Sequence, residues 1–224
     1  MRDEVVGEWQ MSLGSVLGRV AVAAGRAGRD PAAVKLVAVT KGRSLDQLGS
    51  LRESGCVVWG ENRAQELSTK AAEAGVGIEW HFIGHLQTNK VRLVRPVVSL
   101  LHSMDRIELA TAWIKGPGLP PPVLVQVNLT DDPTRQGFDP AATVKAALEA
   151  EALGLTVRGL MGMAPQVSDP EEARPPFRRL AELGAELRSL LPTATELSMG
   201  MTDDFEVAVE EGATMIRVGR AIFA

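Results

Sequence analysis

The sequence has no tyrosine, one cysteine and three histidines in 224 residues, and each scarcity excludes some chemistry. Without tyrosine, no phenol can serve as acid or base, from this chain or from a second copy of it. The lone Cys56 excludes an intramolecular disulfide framework and points to a reducing compartment. Ahead of an apolar run, it reads as a small buried hydrophobe. His81 and His85 are four apart, but Gly84 and the strand-like pattern around them argue against a zinc pair on one helix face. His102 reads as a core histidine with its hydrogen bonds satisfied. The signatures of a Walker loop, a nucleophile elbow and paired-cysteine metal sites are also missing. A formal net charge of −4 weighs against a general nucleic-acid binder. No stretch reaches the roughly 20 apolar residues of a membrane helix. The first residues lack the charged and apolar regions of a signal peptide, so the expectation is a cytoplasmic protein that does not enter the membrane.

Short β-branched apolar runs alternate with amphipathic stretches along the whole chain. The runs are Leu36–Thr40, Val57–Gly60, Trp80–Gly84, Val97–His102, Val123–Leu129, Val157–Met163, Glu196–Met199 and Met215–Gly219. Between them the spacing predicts helices over 45–53, 63–74, 89–95, 106–115, 141–153, 170–191 and 204–211. Eight such strands separated by helices predict a (β/α)8 barrel in one domain spanning 1–224. Only Arg220–Ala224 follow the last strand, too few for an eighth outer helix. The segment Glu8–Ala27 carries Trp9, Leu13, Val16, Leu17, Val20 and Ala24 at helical spacing, so a leading helix is expected to cover that gap. Gly116–Pro122, Asp131–Asp139 and Ala164–Pro176 read as surface connections, the last long enough for a lid.

Barrels of this kind place chemistry where strands end and βα loops begin. Of six lysines, only Lys41 directly follows an apolar strand. At a barrel mouth its amine is expected to be partly desolvated and reactive toward a carbonyl. Ser198 and Gly200 end the seventh strand and Gly219 ends the eighth, the two places where this fold recurrently binds phosphate. Arg217, two residues before Gly219, is expected to face the barrel interior, toward either a ligand heteroatom or a strand carboxylate such as Glu196. An amine and a phosphate cradle at one mouth suit pyridoxal 5′-phosphate, and equally a sugar phosphate in a Schiff-base aldolase.

Longer motifs choose between these. Leu36-Val-Ala-Val-Thr-Lys41, Gly60-Glu-Asn62, Trp80-His-Phe-Ile-Gly-His-Leu-Gln-Thr-Asn-Lys90, His102-Ser-Met-Asp-Arg106, Val125-Gln-Val-Asn128, Ser198-Met-Gly-Met-Thr-Asp-Asp204 and Arg217-Val-Gly-Arg-Ala-Ile-Phe223 occur in order over almost the whole chain. Together they resemble the pyridoxal phosphate homeostasis protein family. The resemblance implies a barrel related to the N-terminal domain of alanine racemase, with Lys41 forming an internal aldimine. By the same resemblance Ser198 and the backbone around Gly200, Gly219 and Arg220 hold the phosphate, Arg217 faces the pyridine nitrogen, and Asn62 lines the ring pocket. Two positions depart from the common family pattern: Gly42-Arg43-Ser44 stands where Thr-Lys is usually followed by proline, and Arg63 replaces a frequent tyrosine.

An arginine at the pyridine nitrogen disfavours its protonation and weakens the cofactor as an electron sink. Racemases of this fold work with one, but they add a tyrosine base from a partner's second domain, and this sequence offers neither. The resemblance therefore implies a monomeric carrier for vitamin B6 homeostasis that supplies pyridoxal phosphate to apo-enzymes, without robust turnover. A weak amino-acid racemase and a Schiff-base aldolase are the alternatives.

Overall fold

The computed structural model describes residues 2–130 and 132–223, with side chains from residue 12 onward. Trp9's side chain, Asp131 and Ala224 lie outside the described residues. Eight parallel strands close into a barrel in sequence order: β1 (Lys35–Val39), β2 (Val58–Glu61), β3 (Glu79–Phe82), β4 (Leu100–Met104), β5 (Val123–Asn128), β6 (Val157–Met163), β7 (Glu196–Ser198) and β8 (Met215–Val218). Closure is made by β8 pairing with β1, Ile216 opposite Leu36 and Arg217 opposite Val37. The expected (β/α)8 barrel is the observed one.

The helices are α1 (Arg2–Arg26), α2 (Leu45–Glu53), α3 (Ala64–Glu73), α4 (Val91–Val94), α5 (Ile107–Ile114), α6 (Pro140–Ala152), α7 (Arg174–Leu190), α8 (Phe205–Glu210) and α9 (Arg220–Phe223). Their starts follow local chemistry. Ser44 and Gln47 form a capping box on α2, and Asp139 accepts from the Ala141 N–H at the start of α6 with Pro140 as its first residue. The predicted helix over 170–191 divides into a 3-10 turn, Pro170–Ala173, and α7, which narrows the expected lid to a short connection.

With α9 only a single turn, α1 packs on α8 and α9 and covers the barrel there, as the leading helix was expected to do. Leu13, Val16 and Val20 bury its inner face, each contributing about 1.5–3 kcal/mol. Arg29, just past the helix, donates to the Val209 and Ala213 carbonyls at 2.5 and 2.8 Å and ties the connection to the end of α8. Leu17 departs from the expected face and is exposed.

Most of the core lies between strands and helices. Val37, Leu100, Leu124, Met161 and Met215 form a separate apolar cluster. Side chains two apart on a strand share a face, so Lys35, Glu79, His102, Ser198 and Arg217 share the faces that carry or adjoin this inner cluster.

Candidate functional site

Lys41 sits in the turn after β1 and is exposed, rather than partly desolvated as expected. The turn is built tightly: the Arg43 N–H donates to the Thr40 carbonyl at 3.1 Å, and Gly42 takes φ +71°. Proline, with φ near −65°, has no access to that conformation. The departure from the family's Thr-Lys-Pro pattern therefore specifies a different turn beside the lysine. Arg43 lies over the Phe223 ring, 5.1 Å from its centroid, so α9 packs on the same loop.

Directly behind Lys41 is a buried ionic cluster that the strand and helix pattern did not reveal. Lys70, on α3, donates to the Thr40 carbonyl at 2.7 Å, to Glu61 Oε1 at 2.6 Å and to Glu66 Oε1 at 2.8 Å. Thr40 Oγ1 also donates to Glu61 Oε1, at 2.6 Å, and the Gly42 N–H donates to Glu66 Oε1 at 2.6 Å. Burial pushes the Glu61 carboxyl up, against the hydrogen bonds from Lys70 and Thr40. At Glu66 burial acts the same way, but the Lys70 and Gly42 hydrogen bonds outweigh it and hold the carboxyl below its ordinary value. The cluster clamps both residues flanking Lys41 to α3. Glu61 at a strand end and the Glu66–Lys70 spacing of four were the readable signals for it.

Asn62 follows β2, half-buried, and its Oδ1 is buried with no hydrogen-bond partner among the described residues. The loop after β3 crosses its backbone so closely that a Cβ at Gly84 would lie 2.2 Å from the Asn62 carbonyl oxygen. Only glycine permits that approach.

On β8, the strand beside β1, Arg217 is 4 % exposed and points inward, as alternation predicted. Its Nη1 donates to the Ser198 carbonyl at 2.7 Å and to Ser198 Oγ at 2.6 Å, while Nη2 donates to the Gly162 carbonyl at 2.9 Å. Glu196 instead accepts from Thr214 Oγ1 at 2.6 Å, so Arg217 is not held by the strand carboxylate considered for it. Burial lowers its guanidinium to about 10, with Asp204 opposing the shift. Ser198 is fully buried and lies against Arg217 and His102. Gly200, at φ +91°, lets α8 close over the strand end, since a Cβ there would meet the Ala208 Cβ at 2.6 Å. Gly219 packs against Val39, its carbonyl accepting from the Ile222 and Phe223 N–H groups as it caps α9. Arg220 is exposed and paired with Asp203.

The remaining strand-end polar residues have local duties. Asn128 Oδ1 accepts from the Thr130 N–H at 3.0 Å, and its Nδ2 donates to the Asp132 carbonyl at 2.8 Å, which folds the loop after β5. His81 and His85 take different partners. His85 Nδ1 lies 2.8 Å from buried Asp105, whereas His81 reaches Glu79 and His102. His102 is satisfied in the core as expected. Cys56 is half-buried rather than buried, and burial still raises its thiol to about 11. A surface hollow of about 320 Å³ along α1, bordered by Arg19, Val22 and Glu206, lies on the outer helical layer rather than at the strand ends.

The fold and site define a (β/α)8 barrel with an amine after its first strand and an inward arginine with glycine-bearing strand ends at its last two. No family model matches this chain. A pyridoxal phosphate homeostasis protein of Aquifex aeolicus is 40 % identical over 218 residues, covering 94 % of this chain and 95 % of its own. The chain belongs to the pyridoxal phosphate homeostasis protein family, as its motifs suggested. The structure of PipY from Synechococcus elongatus with PLP bound superposes at a TM-score of 0.78 with 33 % identity, over 92 % of this chain and all of that one. The crystal structure of an unknown protein from Bifidobacterium adolescentis reaches a TM-score of 0.91 at 34 % identity, over 99 % of this chain and 96 % of that one. Among the described residues no helix is long and apolar enough to cross a membrane.

Proposed function

We propose that this chain binds pyridoxal phosphate and serves vitamin B6 homeostasis, holding the cofactor on Lys41 without robust catalytic turnover. The observation that carries this reading is the clustering of Lys41, Asn62, Arg217, Gly200 and Gly219 at or just beyond the C-terminal ends of β1, β2, β7 and β8. The residues suit the group. Among the described residues Asn62 Oδ1 has no partner and offers an acceptor at the ring pocket, Lys41 supplies an accessible amine, and Arg217 supplies a buried donor set with no carboxylate bonded to it. When bound, the cofactor supplies an aldehyde that joins reversibly to primary amines.

In this reading Lys41 attaches the cofactor, Asn62 borders the ring, and Arg217 faces the pyridine nitrogen. Ser198, Gly200, Gly219 and Arg220 receive the phosphate. Because arginine cannot give up its proton to the ring, the chain restrains carbanion chemistry. The absence of tyrosine removes the second base a racemase of this fold uses. The assignment extends to a single domain over 1–224, a monomer and a cytoplasmic role in passing the cofactor to apo-enzymes.

The test is the visible spectrum of the purified protein supplied with pyridoxal phosphate, before and after Lys41→Ala, followed by borohydride reduction and mass analysis. A yellow wild type with a pyridoxyl adduct on Lys41 is expected. A colourless wild type, or an adduct elsewhere, overturns the reading. Incubation with single amino acids should yield neither enantiomer nor amine.

A further inference from the structure

A continuous line of polar side chains crosses the barrel interior, and none of them is used by the reading above except at its upper end. Lys35 and Glu79 are the first residues of β1 and β3, at the end of the barrel opposite Lys41. Lys35 Nζ lies 3.2 Å from Glu79 Oε1, and His81 Nε2 lies 2.9 Å from the same oxygen. His81 Nδ1 is 2.9 Å from His102 Nε2, and His102 Nδ1 is 2.8 Å from Ser198 Oγ. Arg217 Nη1 closes the line on Ser198 Oγ at 2.6 Å. Lys35 and Glu79 are half-exposed, while His81, His102 and Ser198 are 0 % exposed.

The direction of every bond in this line follows from donor counting. Arg217 has donors only, so Ser198 Oγ accepts from it; among the described residues the hydroxyl's own hydrogen has His102 Nδ1 as its acceptor, and it is donated there. Burial, and then the positive charges around it, drive His102 well below the ordinary imidazole value, so the ring is neutral. Its single proton is then on Nε2 and is donated to His81 Nδ1. His81 in turn carries its proton on Nε2 and donates it to the Glu79 carboxylate. All five contacts are satisfied with both rings neutral.

The opposite direction has a different proton count. It places the His102 proton on Nδ1, directed at Ser198, and a His81 proton on Nδ1, directed at His102. A neutral His81 would then turn an Nε2 lone pair toward the Glu79 carboxylate. One added proton on the His81–Glu79 pair removes that clash. Reversal also frees the Ser198 hydroxyl hydrogen for another acceptor.

We propose that this chain couples Ser198 to the far end of the barrel: an anionic oxygen brought to Ser198 draws its hydroxyl off His102, reverses the chain, and takes up one proton on the His81–Glu79 pair. The proposal rests on the reading that Ser198 meets the cofactor's phosphate. The proton comes from solvent at the N-terminal end of the barrel, beside Lys35 and Glu79, and no other bond is made or broken. The other charged groups facing the line are few. Glu196 of β7 is engaged by Thr214, and Asp204 at the start of α8 lies toward Arg217. From the remaining strands the inner cluster offers Val58, Leu100, Leu124 and Met161, which do not titrate. By linkage this uptake contributes a term to the affinity that strengthens binding as pH falls, by up to tenfold per pH unit over the range where the added proton is absent from the free protein.

The three histidines make the chain readable in one long-range 1H–15N spectrum of the full protein, with His85→Asn assigning the exposed ring. Without cofactor, His81 and His102 should both be Nε2–H tautomers. With pyridoxal phosphate added, and its attachment verified separately by absorbance and by the mass of the reduced adduct, His102 should become Nδ1–H and His81 doubly protonated. His81→Phe, which leaves Lys41, Ser198 and Arg217 in place, should lose the proton uptake on binding and its share of the pH slope of affinity; an unchanged slope overturns the coupling. An Nδ1–H His102 in the cofactor-free protein overturns the direction. Unchanged tautomers in protein that carries the adduct overturn the coupling. If the wild type takes up no cofactor, the functional reading fails and the coupling with it, while the cofactor-free spectrum still decides the direction.

Discussion

Replacing Lys70 by methionine should expose how much of the lysine-bearing turn depends on the ionic cluster behind it. Lys70 has three acceptors within 2.8 Å, two of them carboxylates, and Glu61 has no solvent exposure. Methionine keeps the stem's packing but leaves Glu61 buried without its cation. Removing one partner of a buried pair costs roughly 3–5 kcal/mol, because the charge left behind is uncompensated. For a chain of this size that corresponds to a fall in Tm of about 6–20 °C, taking about 2–4 °C per kcal/mol. The sign with pH follows from Glu61. Burial already raises its carboxyl, so its ionisation opposes folding above the raised value and the opposition is relieved as pH falls through it. Without Lys70 that value rises further, so the deficit of the variant should narrow from pH 7 toward pH 5. Glu61→Gln in the same chain should recover part of the loss at pH 7, since no buried charge then remains unpaired at that position. Urea unfolding of wild type, both single variants and the double variant at the two pH values measures this. A Lys70→Met loss under about 1 kcal/mol, unchanged with pH and not relieved by Glu61→Gln, would refute the argument.

Other outcomes follow from single contacts. Gly42→Pro restores the commoner family residue but loses both the φ of +71° and the N–H that donates to Glu66, so it should destabilise by about 1–3 kcal/mol in thermal unfolding rather than stabilise. Gly200→Ala should cost about 2–4 kcal/mol, from overpacking against Ala208 together with backbone strain, and chemical denaturation reads it directly. Glu79 is held down to about 2, chiefly by the His81 hydrogen bond and against burial. Its contribution to stability is therefore full above the ordinary carboxylate value and lost as pH falls toward about 2, so the stability gap between wild type and Glu79→Gln should close over that window. Arg217→Gln should shift the visible band of the cofactor-loaded protein while leaving the adduct on Lys41; an unmoved band would make Arg217 a purely structural cation.

Periodicity and turn chemistry were enough to specify the barrel. Eight apolar runs in alternation with amphipathic stretches admit few other topologies, and the short tail after Gly219 left a gap that the face of α1 matched. Lys41, Arg217 and the two strand-end glycines were legible because alternation and loop position fix where such residues point. What local sequence could not contain was the pairing across strands. Lys70 looked like one more helical lysine, and only the approach of α3 to the ends of β1 and β2 makes it the cation for Glu61, Glu66 and Thr40. His81, His102, Ser198 and Glu79 lie up to 119 positions apart, taken as the difference between 198 and 79; Ser198 was legible as a phosphate-site residue, but nothing in the sequence joined it to the two histidines or to Glu79. Barrel closure brings them within hydrogen-bond distance in an interior that excludes water. There, each polar group in the line finds a partner, and its direction runs from Arg217, which can only donate at one end, to the Glu79 carboxylate, which accepts at the other.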